Sequence, residues 1–337
     1  MSYKVQIQSS GEEFTVEDNE TVLDAALRQG ITIPYGCRSG ACGACKGTLV
    51  TGQINYSLGK PPGIIQEEID SGKALMCQAI PESDLVVDVI VIETAKEIEI
   101  KNLPCRVTKQ EKLCHDVIRL YLKLPESERL QFLAGQYIDI LLKDGRRRSF
   151  SIANAPHDDE YIELHIRHIP DGDFTTHIFN EMQEKELLRF EGPLGTFTLQ
   201  EDSNRPIIFM AGGTGFAPIK GIIEHAFSEG VKRPMHLYWG ARAKRDLYLE
   251  DLPKQWAQQY NNFTFTPVLS EPMSEDNWQG KTGFVHEAII EDYPELSTYE
   301  IYAGGPPLMV EAGVNAFTKH GLEKTCYFTD AFEFAKD

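Results

Sequence analysis

Four cysteines carry the clearest chemical signal in the sequence. Cys37, Cys42, Cys45 and Cys77 are spaced C-x4-C-x2-C, then 31 residues, then C. Thiolates at this spacing converge on one compact metal–sulfur centre only if the chain between the first three winds tightly. The residues around them allow it: Gly36, Gly40, Ala41, Gly43 and Ala44 are small, so backbone amides can approach and point at the sulfurs. Such hydrogen bonds help set a reduction potential. A structural zinc site is the competing reading, but zinc sites usually pair two short knuckles, and here the last cysteine stands alone. Cys105, Cys114 and Cys326 lack such spacing and read as ordinary core or surface thiols. Arg38, inside the ligand loop, is either a cation acting on the centre or an acidic partner, or a plain solvated side chain.

The spacing matches the plant-type ferredoxin pattern, and the expected centre is a 2Fe–2S cluster. A second constellation is Arg148-Ser149-Phe150-Ser151, on a strand-like stretch. A flavin dinucleotide needs a cation for its phosphates, an aromatic against its ring and a hydrogen bond near N5. Arg148, Phe150 and Ser151 supply all three from one strand and its turn. About twenty residues on, His165-Ile166-Arg167 ends another strand, and Gly172-Asp173-Phe174-Thr175-Thr176 opens a helix. That helix N-terminus and its threonine hydroxyls suit a pyrophosphate. His165 and His168 invite a metal reading, but three apart on a strand they face opposite sides.

The third constellation is Ala211-Gly212-Gly213-Thr214-Gly215-Phe216-Ala217-Pro218, after an apolar strand and before a helix. Glycines there let a pyrophosphate reach the backbone and the helix N-terminus. A second such turn is Ala303-Gly304-Gly305-Pro306-Pro307-Leu308-Met309. Two glycine turns at strand C-termini define a nucleotide crevice in an open α/β sheet. Tyr238-Trp239-Gly240-Ala241-Arg242 ends the strand between them and borders the adenosine side. No acid stands at that strand tip to grip a ribose 2′-hydroxyl, whereas Arg242, Lys244 and Arg245 could take a 2′-phosphate. The residue chemistry thus leaves NADH and NADPH both open.

Three elements of fold must position these groups. Residues 1–92 read as a small β-rich domain with a helix over 21–29 and a last strand at 85–92. Residues 93–103 read as a charged linker. Residues 104–200 give strand runs at 105–109, 117–124, 136–142, 148–153 and 161–167 with little helical pattern, so an antiparallel β-barrel is expected. Residues 201–337 alternate strands and helices, which predicts a parallel-sheet α/β domain covered on both faces. The whole is multidomain, α+β followed by α/β.

Composition narrows the function classes. The chain of 337 residues carries 33 basic and 51 acidic side chains, a formal charge of −18. With no basic tract it is a poor binder of nucleic acid or an anionic membrane. It has no apolar run of about 18 residues and no basic, apolar leader, so the expectation is a cytoplasmic protein without a membrane partner. Residues 1–100 hold 7 basic and 15 acidic side chains, a weak hint of a basic partner face.

In this order, the three constellations resemble the fused iron–sulfur flavoenzymes of the ferredoxin–NAD(P)H reductase superfamily, over essentially the whole chain. The stretches YGCRSGACGACKG, RRRSFSIANAP, RFEGPLGTF and GGTGFAPIK resemble most the CDP-6-deoxy-Δ3,4-glucoseen reductase group, and then the reductase components of ring-hydroxylating oxygenases. The first domain would then be a β-grasp ferredoxin. The resemblance implies FAD as flavin and NADH as usual donor. It implies electron transfer through FAD to the 2Fe–2S cluster and on to an electron-accepting protein, a dehydrase or an oxygenase component. By the same resemblance Arg148, Ser149, Phe150, Ser151, His165, Arg167, Gly172, Thr175 and Thr176 are expected at the flavin. Gly212, Gly213, Thr214, Gly215, Pro218, Gly240, Arg242, Gly304, Gly305 and Pro306 are expected at the nicotinamide nucleotide. Ser151 and Phe332 are expected at the reacting ring, Phe332 as a cover. Two departures stand out. Many relatives have Tyr at the position of Phe150, and many have Cys at the position of Gly304, beside the nicotinamide. The second departure also keeps open a carrier or docking module with weak hydride transfer. A stand-alone flavin reductase would have no need of the cluster domain.

Overall fold

In the computed structural model, which describes residues 2–92 and 98–332, alternation of apolar residues builds the N-terminal sheet. Strands β1 (Tyr3–Ile7) and β2 (Glu13–Val16) form a hairpin that turns Val5, Ile7, Phe14 and Val16 inward. Helix α1 (Val22–Arg28) starts at Thr21, whose hydroxyl accepts the Asp24 N–H at 3.1 Å, and buries Val22, Leu23, Ala25 and Ala26. There follow β3 (Lys46–Thr51), β4 (Ile54–Asn55), α2 (Gln66–Asp70), β5 (Lys73–Leu75), β6 (Ile80–Pro81) and β7 (Leu85–Asp88). The main sheet has the order β2-β1-β7-β3-β5, with β1 and β7 parallel and the other pairs antiparallel. This is the expected β-grasp arrangement. The last strand stops at Asp88, four residues short of the apolar run that suggested it.

The chain divides into two compact units, Met1–Glu99 and Ile100–Asp337. Of the expected linker, residues 93–97 lie outside the described residues. Lys101, Asn102 and Leu103 are already strand: β8 (Lys101–Lys112) pairs Leu103 with Phe190, and burial of Leu103 drives it.

The second unit opens with β8, β9 (Val117–Lys123), β10 (Tyr137–Leu141), β11 (Arg147–Ser151), β12 (Ile162–Arg167), α3 (Asp173–Asn180) and β13 (Leu187–Leu194). All pairs are antiparallel, in the order β11-β10-β13-β8-β9-β12. A bridge between Ile152 and Leu164 joins the two outer strands, so the sheet closes as a barrel around Val107, Leu120, Ile138, Leu164 and Phe190. Cys105 lies in this core, where burial pushes its thiol up to about 12.

The remainder alternates: β14 (Ile207–Gly212), α4 (Phe216–Ser228), β15 (Met235–Ala241), α5 (Asp251–Gln259), β16 (Phe263–Leu269), β17 (Lys281–Thr282), α6 (Val285–Asp292), β18 (Glu300–Gly305), α7 (Pro307–Lys319) and β19 (Tyr327–Ala331). The sheet is wholly parallel, in the order β17-β16-β15-β14-β18-β19. Strand order therefore reverses between β14 and β18, which opens a crevice at their C-terminal ends. Among the described residues, no helix is long and apolar enough to cross a membrane.

Candidate functional site

The thiol loop follows α1 and ends where β3 begins. Gly40 shows why the loop needs glycine: its φ is +81°, and a Cβ there would lie 2.8 Å from Gln78 Cγ and 2.9 Å from Pro61 Cβ. The four thiols are free and fall into two hydrogen-bonded pairs, Cys37 with Cys42 and Cys45 with Cys77. The N–H groups of Ala41 and Cys42 donate to Cys37 Sγ at 3.4 and 3.3 Å, and the Cys37 N–H donates to Cys42 Sγ at 3.4 Å. Donation from Cys42, then from Ser39 and these amides, brings the Cys37 thiol down to about 5 despite burial. Four thiols in two pairs, met by amide donors, fit a 2Fe–2S cluster. Arg38 is tied to α1 by an ion pair of 2.7 Å with Asp24.

On β11 the side chains alternate, so Arg148 and Phe150 share one face and Ser149 and Ser151 the other. The Ser149 hydroxyl donates to Asp139 Oδ1 at 2.5 Å. Phe150 packs on the Phe174 ring, with centroids 6.0 Å apart. Ser151 is buried, and its hydroxyl donates to Asp330 Oδ2 at 3.0 Å. Asp330 sits on β19 in register with Gly304, and the Phe332 N–H donates to Gly305 O at 2.9 Å. The two sites expected separately for flavin and nicotinamide thus meet at Ser151, Asp330, the second glycine turn and Phe332. Asp330 escaped the sequence reading because nothing local marks it.

The first glycine turn runs from the end of β14 through a single tight turn into α4, with Pro218 in its first turn. It abuts the second: a Cβ on Gly215 would fall 2.0 Å from Gly304 O, and one on Gly304 would fall 2.7 Å from Gly215 O. Trp239 stacks on Phe216 at 4.1 Å and donates its indole N–H to Gly213 O at 3.0 Å. Arg167 lies over this turn, its Nη2 3.2 Å from where a Gly213 Cβ would be. Its Nε is 3.4 Å from Asp116, but Nε and Nη2 are buried and make no hydrogen bond among the described residues. Buried guanidinium donors beside glycines and a helix N-terminus fit an anionic nucleotide. Thr214 is half-buried in the same turn, and Pro306 is exposed where β18 passes into α7. Gly240 pairs with Gly212 on β15, while Arg242, Lys244 and Arg245 are exposed beyond it.

Gly172 caps α3, and the Thr175 hydroxyl serves that turn by accepting the Ile169 N–H at 3.1 Å. Thr176 meets His168 Nε2 at 3.3 Å. Asp173, which would repel a phosphate there, is paired with Arg146 at 2.9 Å. His165 does not sit with these groups. It is wholly enclosed, with Nε2 2.7 Å from Glu163 and Nδ1 3.1 Å from the Tyr248 hydroxyl. Burial lowers its pKa, so the neutral ring donates from Nε2 and accepts at Nδ1. This placement follows from its face of β12, which packs on the nucleotide-binding lobe. Lys220 of α4 completes this interior network. Its ammonium donates to Ala153 O at 3.1 Å and Glu224 at 2.9 Å, and lies 3.4 Å from Glu163.

Three family models match the chain: a 2Fe-2S iron-sulfur cluster binding domain over residues 5–82, an oxidoreductase FAD-binding domain over 104–199, and an oxidoreductase NAD-binding domain over 209–314. The chain is 41% identical to the CDP-6-deoxy-L-threo-D-glycero-4-hexulose-3-dehydrase reductase of Yersinia pestis, covering 98% of this chain and 99% of that one. It is 34% identical to the phenol hydroxylase P5 protein of Acinetobacter pittii, covering 100% and 96%. Among solved structures it is similar to the Amycolatopsis cytochrome P450 reductase GcoB, with a TM-score of 0.80, 32% identity and 98% of each chain covered.

Proposed function

The chain belongs to the fused reductases that join a 2Fe–2S ferredoxin domain to FAD- and NAD-binding domains, and from that premise we propose that it takes electrons from NADH and delivers them to a sugar-nucleotide dehydrase. The observation that carries the choice of acceptor is the 41% identity, end to end, to a reductase named for a CDP-6-deoxyhexulose dehydrase. A flavin converts a two-electron hydride into single electrons, and a plant-type cluster carries these one at a time, at about −400 mV.

The chain's own residues have separable tasks. Cys37 with Cys42 would hold one iron and Cys45 with Cys77 the other, in keeping with the two thiol pairs. Arg148 would neutralise flavin phosphate, Phe150 would pack against the flavin, and Gly172 with Thr176 would present a helix N-terminus to its pyrophosphate. Arg167, with its unsatisfied donors, and the turn at Gly212, Gly213, Thr214 and Gly215 would bind the nicotinamide nucleotide. Gly304 and Gly305 would leave room for its ring, and Asp330 would fix the Ser151 hydroxyl toward the reacting edge. Phe332, anchored at Gly305, would exclude water.

The oxygenase reading is favoured by the 34% identity to the phenol hydroxylase component. Reconstitution separates the two. The holoenzyme with NADH should support a purified CDP-6-deoxyhexulose 3-dehydrase and not a phenol hydroxylase oxygenase. Support of the oxygenase alone would overturn the choice.

A further inference from the structure

The hairpin turn between β8 and β9 enters the chemistry above only through the Asp116–Arg167 contact, and it is held firmly. The N–H groups of Leu113 and Cys114 both close on Val117 O, at 2.9 and 3.4 Å, and the His168 N–H donates to Asp116 O at 2.8 Å. On this turn Cys114, His115 and Asp116 each bring one ligand atom within 4.8 Å of the others. Cys114 Sγ is 3.2 Å from Asp116 Oδ1, and His115 Nε2 is 3.7 Å from the same oxygen. Asp246 of the nucleotide-binding lobe lies beside this group, its Oδ1 3.8 Å from His115 Nε2. Tetrahedral zinc, with bonds of about 2.0–2.3 Å, separates its ligand atoms by about 3.3–3.8 Å.

Both carboxylates are oriented through their other oxygen. Asp116 Oδ2 faces Arg167 Nε at 3.4 Å, and Asp246 Oδ2 accepts the Ala243 N–H at 3.0 Å. Asp116 Oδ1 is left toward the cysteine and the histidine, while Asp246 Oδ1 also lies 3.9 Å from Arg245 Nε; outer contacts of this kind orient metal ligands. The geometry points to a divalent-metal site of the zinc class, built from Cys114, His115 and Asp116 on this turn. On binding, the Cys114 S–H bond breaks, an S–Zn bond forms and the proton leaves to solvent. The mixed sulfur, nitrogen and oxygen donors suit zinc and not magnesium or calcium.

Calorimetric titration of chelator-stripped holoenzyme with Zn2+ tests the site. One saturable equivalent is expected, with the visible bands of flavin and cluster unchanged. Cys114→Ser and His115→Ala should each weaken it by about a hundredfold, at or beyond the top of the range for an outer-contact change. His115 is about half exposed, so its variant is expected to fold. Absence of zinc binding in the wild type, or binding undiminished in Cys114→Ser and His115→Ala, would overturn the proposal. So would bleaching of the cluster bands as zinc is added, which would put the metal on the other cysteines.

Discussion

Ser151 and Asp330, 179 residues apart in sequence, share a buried hydrogen bond of 3.0 Å. It ties the strand that carries Arg148 and Phe150 to the edge strand beside Gly304. Asp330→Ala leaves the hydroxyl without this acceptor. A hydrogen bond to a charged group contributes about 1.5–3 kcal/mol, so anaerobic flavin reduction by NADH should slow by roughly ten- to a hundredfold. Asp330→Asn keeps an acceptor and should lose less. Stopped-flow rates for Asp330→Ala equal to wild type would show that the bond does not orient Ser151.

Gly215 and Gly304 form the second relationship. Because a Cβ on Gly215 would meet Gly304 O at 2.0 Å, Gly215→Ala must push the two turns apart, at a cost of about 1–3 kcal/mol. The expected result is a raised KM for NADH with the flavin spectrum retained. Gly304→Cys, which introduces the residue common in relatives, meets the Gly215 carbonyl at 2.7 Å. It should therefore lower NADH affinity here and not restore a missing function. Unchanged steady-state kinetics in both variants would refute the close approach.

Arg167 has buried donors beside Gly213 and no hydrogen bond among the described residues to use them. Arg167→Gln should raise the KM for NADH by roughly tenfold or more, from the ~1.5–3 kcal/mol of a charge-assisted bond. Arg167→Lys should recover only part, since it offers a point charge in place of a planar fork. Retained FAD content would distinguish this from loss of the flavin site. An unaltered KM in Arg167→Gln would remove the residue from the nucleotide site.

The interior network predicts how stability depends on pH. Burial raises the Glu163 pKa, but the His165 hydrogen bond and the charges of Lys220 and Arg119 outweigh it and bring Glu163 down to about 2, against 4.5 unperturbed. A lowered carboxyl pKa stabilises the fold fully above pH 4.5 and loses that contribution as pH falls toward 2. His165 is lowered by burial from 6.5, so its contribution is complete above that pH and fades below it. Thermal unfolding should therefore begin to drop below pH 6.5 and drop further below pH 4.5. His165→Gln should flatten the first drop. Lys220→Met strands Glu163 and Glu224 and should cost about 3–5 kcal/mol. A flat wild-type profile from neutral pH to pH 5 would contradict the assignment.

What the sequence made legible was chemistry held within a few residues. The cysteine loop, Arg148 to Ser151 and both glycine turns are local, because close backbone approach demands small residues at fixed spacing. Contacts between distant segments left no such trace. Asp330 reaches Ser151 only because β19 joins the sheet beside β18. His165 looked like a strand-end ligand, but packing of the two lobes encloses it beside Lys220 and Glu163. The start of β8 at Lys101 was hidden by the charged stretch before it, which suggested a linker.

The most direct test of the account is anaerobic addition of NADH to the holoenzyme, followed by the visible flavin band and by EPR. The account predicts that the flavin band bleaches and that a reduced 2Fe–2S signal appears. In Cys77→Ser the flavin should still bleach and NADH–ferricyanide activity should remain, while the EPR signal is lost. A flavin that stays oxidised, or one that bleaches in the wild type with no 2Fe–2S signal following, would contradict it.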